Sequence, residues 1–191
     1  MAHPSASFQN AMVIVHGKSE YVICRNIKSN LRLSQEIIAR DKGRSSIQIT
    51  SIMNILNDRR FRSFNAFVKA FPEIEYKRKA LVDFKLFPIM DTDDCTQQQV
   101  RDYISSEMFK GHWLYPYIVP IYNSPNLEQT MKDAKIPVVK KTDYISLFPT
   151  NHGDLDLSKT EKLQQKLKVC KSTNLDAYLQ YCIELAKRNM M

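Results

Sequence analysis

The chain has 191 residues, 43% hydrophobic and 25% charged, which is ordinary for a soluble globular protein and enough for one sizeable domain. No apolar run approaches the ~20 residues that cross a membrane, and "MAHPSASFQN" lacks the basic-then-apolar order of a secretory signal. Twenty-eight Lys and Arg against 20 Asp and Glu leave a net charge of +8, which permits a polyanionic partner and is equally compatible with a solvated basic surface.

Short apolar runs alternate with amphipathic stretches, which predicts an α/β fold with a mainly parallel central sheet flanked by helices in three layers. After a flexible N-terminus (1–10), "AMVIVHG" (11–17) reads as a strand buried on both faces. A helix from 19 to about 31 follows, with Ser19 as N-cap and Tyr21, Ile23, Cys24, Ile27 and Leu31 as its inner stripe. A short strand is expected at 34–39, a helix at 47–58 capped by Ser45 or Ser46, and another at 59–70 ended by Pro72. "FKLFPIMDTDD" (84–94) reads as a strand running into acidic residues, and Pro88 within it argues for a sheet edge. A helix at 96–109 and a proline-interrupted strand at 113–123 come next, with Trp113, Tyr115 and Tyr117 on one face of that strand. Ser124 and Pro125 mark a further helix start.

The core is expected to span 11–140. The remainder, 141–191, reads as a loop containing His152 and Asp154 followed by helices at 158–170 and 174–188 packed on the core. Ser158 and Glu161 have the spacing of a capping box. The four cysteines, Cys24, Cys95, Cys170 and Cys182, form no CxxC pair and no metal-ligand spacing. Reduced thiols in a cytoplasmic protein without a membrane partner are the expectation.

Two acidic groups stand at predicted strand ends: Glu20 after the first strand, and Asp91, Asp93 and Asp94 after the strand at 84–90. In a parallel sheet the carboxyl ends of the strands share one edge, where ligands bind. Carboxylates seventy positions apart can converge there, and hard oxygen ligands suit Mg²⁺ or Mn²⁺. Asp91 and Asp93 point the same way while the chain stays extended, although a loop capping the next helix accounts for the same residues. Gly17 suits a tight turn or the close approach of a ligand, and Lys18 at a helix start suits phosphate. "DKGRSSIQI" (41–49) places Arg44, Ser45 and Ser46 where an anion cradle could form, with capping as the plainer alternative. Asn123 ends another strand and could orient a substrate. The basic clusters Arg59-Arg60-Phe61-Arg62 and Lys77-Arg78-Lys79 suit a nucleic-acid backbone or a solvated face.

"VIVHGKSE" and "FPIMDTDD" together resemble the two motifs of the Toprim domain: a strand ending in a Glu-Gly-x-[Ser/Thr]-[Glu/Asp] turn and a later strand ending in Asp-x-Asp. The resemblance covers about residues 11–125 and is to the OLD and RloB-like nucleases in particular. "HGKSE", "YNSPNLE" and "LFPT" also resemble the hallmarks of a bacterial Toprim-like family of similar length. The resemblance implies a Mg²⁺- or Mn²⁺-dependent nuclease acting on RNA or DNA, with Glu20, Asp91 and Asp93 as metal ligands. Toprim enzymes carry a glutamate where this chain has His16. His16 with Glu20 is then the candidate catalytic pair, His16 for proton transfer, and Gly17, Lys18, Arg44, Ser45, Ser46 and Asn123 are the candidate phosphate contacts. The alternative is a Toprim-derived module that binds nucleic acid or a nucleotide without cleaving it.

Overall fold

The computed structural model describes residues 9–138, 143–146 and 157–190. His152, Asp154, "LFPT" and most of the N-terminal segment lie outside the described residues. A four-stranded parallel sheet of order β2-β1-β5-β6 forms the centre, built from β1 (Ala11–Val15), β2 (Gln35–Ile38), β5 (Lys85–Asp91) and β6 (Ile121–Asn123). Between β2 and β5 lies a small antiparallel hairpin, β3 (Tyr76–Lys77) with β4 (Ala80–Leu81). The expected α/β architecture is present.

β1 is buried along its whole length, as a parallel strand covered on both faces must be, which accounts for its unbroken apolar sequence. Its alternate residues enter two separate cores. Ala11, Val13 and Val15 join Phe87 and Ile89 beneath α1 (Lys18–Asn30), α5 (Leu127–Asp133), α6 (Asp143–Ser146), α7 (Ser158–Lys168) and α8 (Leu175–Asn189). Met12 and Ile14 join Leu86 and Met90 beneath α2 (Ile52–Leu56), α3 (Phe64–Ala70) and α4 (Gln97–Ile104). This gives the three layers.

Several boundaries differ from the sequence reading. Gly17, not Ser19, stands at the N-cap of α1, and Ser19 is buried inside the helix. The helices expected at 47–58 and 59–70 are shorter: a 3-10 turn (Ile49–Ser51) leads into α2, and Ser63 caps α3 by accepting the Ala66 N–H. Ser45 and Ser46 lie in an exposed loop and cap nothing. Asn126 replaces Ser124 as the cap of α5, accepting from Gln129 N at 3.0 Å, and Leu157 stands at the N-cap position of α7 in place of Ser158. The strand expected at 113–123 is only three residues long. Tyr115–Tyr117 forms a 3-10 turn, and Trp113 packs edge-on against Phe64 and Phe67.

Pro88 overturns its expected edge position, because β5 is an inner strand paired with both β1 and β6. Pro88 stands one step before the first registered β5–β6 pair, Ile89 with Ile121, so the ladder lacks one donor there. The buried Tyr103 hydroxyl lies beside that step, 2.7 Å from the Pro88 carbonyl and 2.9 Å from that of Ile121.

The C-terminal extension is part of the sheet's fabric. The Asn174 side chain accepts from Tyr122 N at 2.9 Å and donates to Pro120 O at 2.9 Å, and Thr173 bridges to Asn123 along the open side of β6. A buried pair, Gln35 with the Tyr178 hydroxyl, joins β2 to α8, and Gln35 also donates to the Cys24 carbonyl. All four cysteines are free. Cys24 and Cys182 are fully buried, and desolvation pushes the Cys182 thiol up to about 12. No helix among the described residues is long and apolar enough to cross a membrane.

Tyr103→Phe removes a wholly buried hydroxyl and its hydrogen bond to the β5–β6 backbone, and urea unfolding should show a loss of about 0.5–1.5 kcal/mol.

Candidate functional site

β1 and β5 lie side by side, yet the chain leaves β1 toward β2 on one side and returns through β5 on the other. Their carboxyl ends therefore frame the switch point of the sheet, the place where an open α/β fold forms a ligand crevice. Glu20 reaches this point from the first turn of α1 and Asp91 from the last residue of β5.

Both carboxylates are buried, Glu20 to 2% exposure and Asp91 to 6%. Glu20 Oε2 accepts the Gly17 N–H at 2.9 Å, half of a capping box across the turn. Asp91 Oδ1 accepts from Leu127 N at 3.1 Å and from Asn123 Nδ2 at 3.3 Å. Those donors do not offset the surroundings. Desolvation first, then the charges of Glu20, Glu128 and Asp93, raise the Asp91 carboxyl from its ordinary 3.8 to about 8.

Glu128 was not singled out from the sequence. It is the second residue of α5 and accepts a hydrogen bond from Ser19 Oγ at 2.7 Å. Its only sequence signal is its place in the first turn after a strand end. Tyr144 closes the same corner, its phenol pushed up by burial and by the charges of Glu128 and Glu20.

The remaining candidates are placed differently. β5 stops at Asp91 and the chain turns at 93–94, so the extended backbone needed to align Asp91 with Asp93 is absent. Asp93 is exposed and accepts from Asn126 Nδ2 at 3.2 Å, although Asp91 still feels its charge. Asp94 accepts from Gln48 Nε2, and Thr96, not Asp94, caps α4. His16 is the first residue past β1, its amide donating to the Ile89 carbonyl at 2.9 Å and its carbonyl accepting from Ile47 N at 2.8 Å. His16 Nδ1 is buried there without a hydrogen bond among the described residues. Asn123 is wholly buried, donating to Asp91 and accepting from Thr173 Oγ1 at 3.0 Å, so it positions the carboxylate and has no face for phosphate. Lys18 lies over the Tyr21 ring at 5.4 Å.

Arg44, Ser45 and Ser46 are exposed on a loop that docks against α1. Residues 41–43 all have positive φ, and Gly43 (φ +83) touches the start of the helix: a Cβ there would stand 2.8 Å from the Gly17 carbonyl oxygen. Only glycine fits. Lys77, Arg78 and Lys79 form the hairpin tip that precedes the amino end of β5, at the edge of the sheet away from the carboxylates. In the other basic cluster Arg60 pairs with Asp58, and Phe61 is buried.

Among the described residues, no group of three His, Cys, Asp or Glu side chains is set to hold a metal ion. Glu20 and Asp91 are brought together, but each is turned onto a backbone donor. The oxygen donors of Glu20 and Asp91 are nevertheless of the kind that suits a hard divalent cation, which one or two carboxylates can hold with water completing its shell. Comparison with known protein families, curated proteins and solved structures gives no match.

A carboxyl raised from 3.8 to about 8 binds more protons folded than unfolded between those values. Its contribution is fully present below about pH 4 and is lost as pH rises through 8. Asp91→Asn removes that titration and keeps an acceptor for Leu127. Thermal melts should show the variant gaining on wild type between pH 5 and pH 9, by roughly 1–4 kcal/mol in free energy.

Proposed function

We propose that the chain is a Toprim-like protein that acts on phosphodiesters in RNA or DNA with Mg²⁺ or Mn²⁺. The observation that carries this reading is the pair of buried carboxylates, Glu20 and Asp91, at the switch point of a parallel sheet, with Asp91 held far above its ordinary protonation range. Glu20 and Asp91 would face the cation, with Asp93 at the solvent side as the resemblance implies, and water and substrate oxygens would complete its shell. When bound, the cation neutralises phosphate oxygens and activates water.

The protein's own groups do the rest. Leu127 N and Asn123 Nδ2 both bond Asp91 Oδ1, which fixes the carboxylate plane and aims Oδ2 away from them. Thr173 holds Asn123, and the Gly17 amide holds Glu20. Ser19 fixes Glu128 across the α1–α5 gap. Lys18, at the mouth of α1, offers a cation to substrate phosphate.

A binding module without catalysis is the second reading. His16 favours it, because the position that carries a glutamate in Toprim enzymes is here a histidine, which brings no carboxylate to a cation.

Wild-type protein should cleave single-stranded RNA or DNA in Mg²⁺ or Mn²⁺, and Asp91→Ala should reduce the rate at least a thousandfold. His16→Ala should stay within about tenfold of wild type, less than the ~10²–10⁴ that general acid–base catalysis contributes. Absence of cleavage of every RNA and DNA tested with both metals would sink the enzyme reading. Mg²⁺ should also raise the melting temperature of wild type at pH 8 more than that of Asp91→Asn.

A further inference from the structure

Lys18, Tyr21, Arg25, Lys28 and Arg32 recur at intervals of three, four, three and four residues. That spacing puts Lys18, Tyr21, Arg25 and Lys28 on one side of α1, away from its buried stripe of Ile23, Cys24 and Ile27, and Arg32 follows just beyond the helix end. Thirteen residues at about 1.5 Å each make α1 roughly 20 Å long, so the stripe runs the length of the sheet from the carboxyl ends of the strands. Beside it lies a groove of about 510 Å³ between α1 and the outer strand β2, lined by Tyr21, Arg25, Lys28, Arg32 and a single carboxylate, Glu36.

The ion pairs among the described residues are Arg60 with Asp58, Lys110 with Glu107, Lys187 with Glu161 and Arg188 with Asp83. None uses Lys18, Arg25 or Lys28. Lys28 Nζ donates to the Gln35 carbonyl at 2.7 Å, which holds its charge over the β2 edge. The head of the stripe, Lys18, is two residues from Glu20.

We propose that this groove binds the phosphate backbone of a single nucleic-acid strand and leads it to the carboxylates at the strand ends. The proposal rests on the phosphodiester reading of that site and adds the path by which substrate arrives. Arg25 and Lys28 against one carboxylate match a polyanion, and the repeat of Lys18, Arg25 and Lys28 along the helix matches a periodic one. The groove has the volume of a small-ligand pocket, narrow for a duplex, and Tyr21 offers a ring on which a base can stack.

The test is fluorescence anisotropy of the full chain with labelled single-stranded RNA and DNA oligonucleotides, in EDTA so that nothing is cleaved. Arg25→Glu/Arg32→Glu should weaken binding at least tenfold. It should also flatten the dependence of log K on log salt by about 1.4, two phosphate contacts at about 0.7 each. Arg60→Glu, in the other basic cluster, should change affinity less than threefold. The neutral pair Arg25→Gln/Arg32→Gln should weaken binding at least threefold if charge reversal disturbs the fold, which circular dichroism reports. Unchanged affinity and slope in a folded double variant overturn the groove while leaving the cleavage reading to the Asp91→Ala assay. Lost binding in the double variant alongside an inactive wild type supports the groove and sinks cleavage. Wild type that binds no oligonucleotide overturns the proposal. So does a dimer, seen in sedimentation, that the substitutions break without affecting oligonucleotide binding.

Discussion

The constraint on which the rest of the structure depends is the burial of Asp91 beside Glu20. Two carboxylates withdrawn from water at one point carry a desolvation cost and repel each other, and a fold keeps such a pair only by surrounding it with donors. The Gly17 amide, the Leu127 amide and the Asn123 side chain supply them. Each donor comes from a different part of the chain, so β1, β5, β6, α1 and α5 are all tied to the same few atoms.

The support extends outward in order. Asn123 can serve Asp91 only because Thr173 accepts responsibility for its other end, and Thr173 is held along β6 by bonds to Tyr122 and Asn123. A residue late in the chain therefore sets the geometry of a carboxylate eighty positions earlier. On the other side of the site, the Gly43 contact presses the loop 41–46 onto the Gly17 turn, which fixes the first amides of α1. The site is stiff where it is acidic and open along α1, where the cations are.

Much of this was legible in the sequence. Unbroken apolar runs at β1 and β5 marked buried parallel strands, and acidic residues just beyond them marked the ligand edge. What escaped was decided by distant partners. Pro88 looked like an edge residue because the missing donor is local, whereas β6, which pairs with the strand all the same, lies some thirty positions away. Trp113, Tyr115 and Tyr117 imitated the period of a strand, yet Trp113 and Tyr117 join an aromatic cluster through a 3-10 turn that leaves Tyr115 exposed. Ser19 and Ser124 have the chemistry of caps, but the chain turns two residues earlier at Gly17 and two later at Asn126. Glu128 gave no sign because its meaning depends on Ser19, 109 positions away. Asp93 stands farther out than the motif suggests because the strand ends at Asp91 and the chain turns at once.

Thr173 and Asn174 carry one more consequence. A short outer strand such as β6 offers unpaired amides and carbonyls to any passing chain, and that is how folded proteins begin to stick to one another. Here the chain's own later residues occupy that position, and on the far side Lys28 sits on a β2 carbonyl and surrounds it with charge. The residues that orient the acidic centre and the residues that line the basic groove thus also keep the sheet from recruiting strangers. Loosening Thr173 and Asn174 would uncover the unpaired edge of β6.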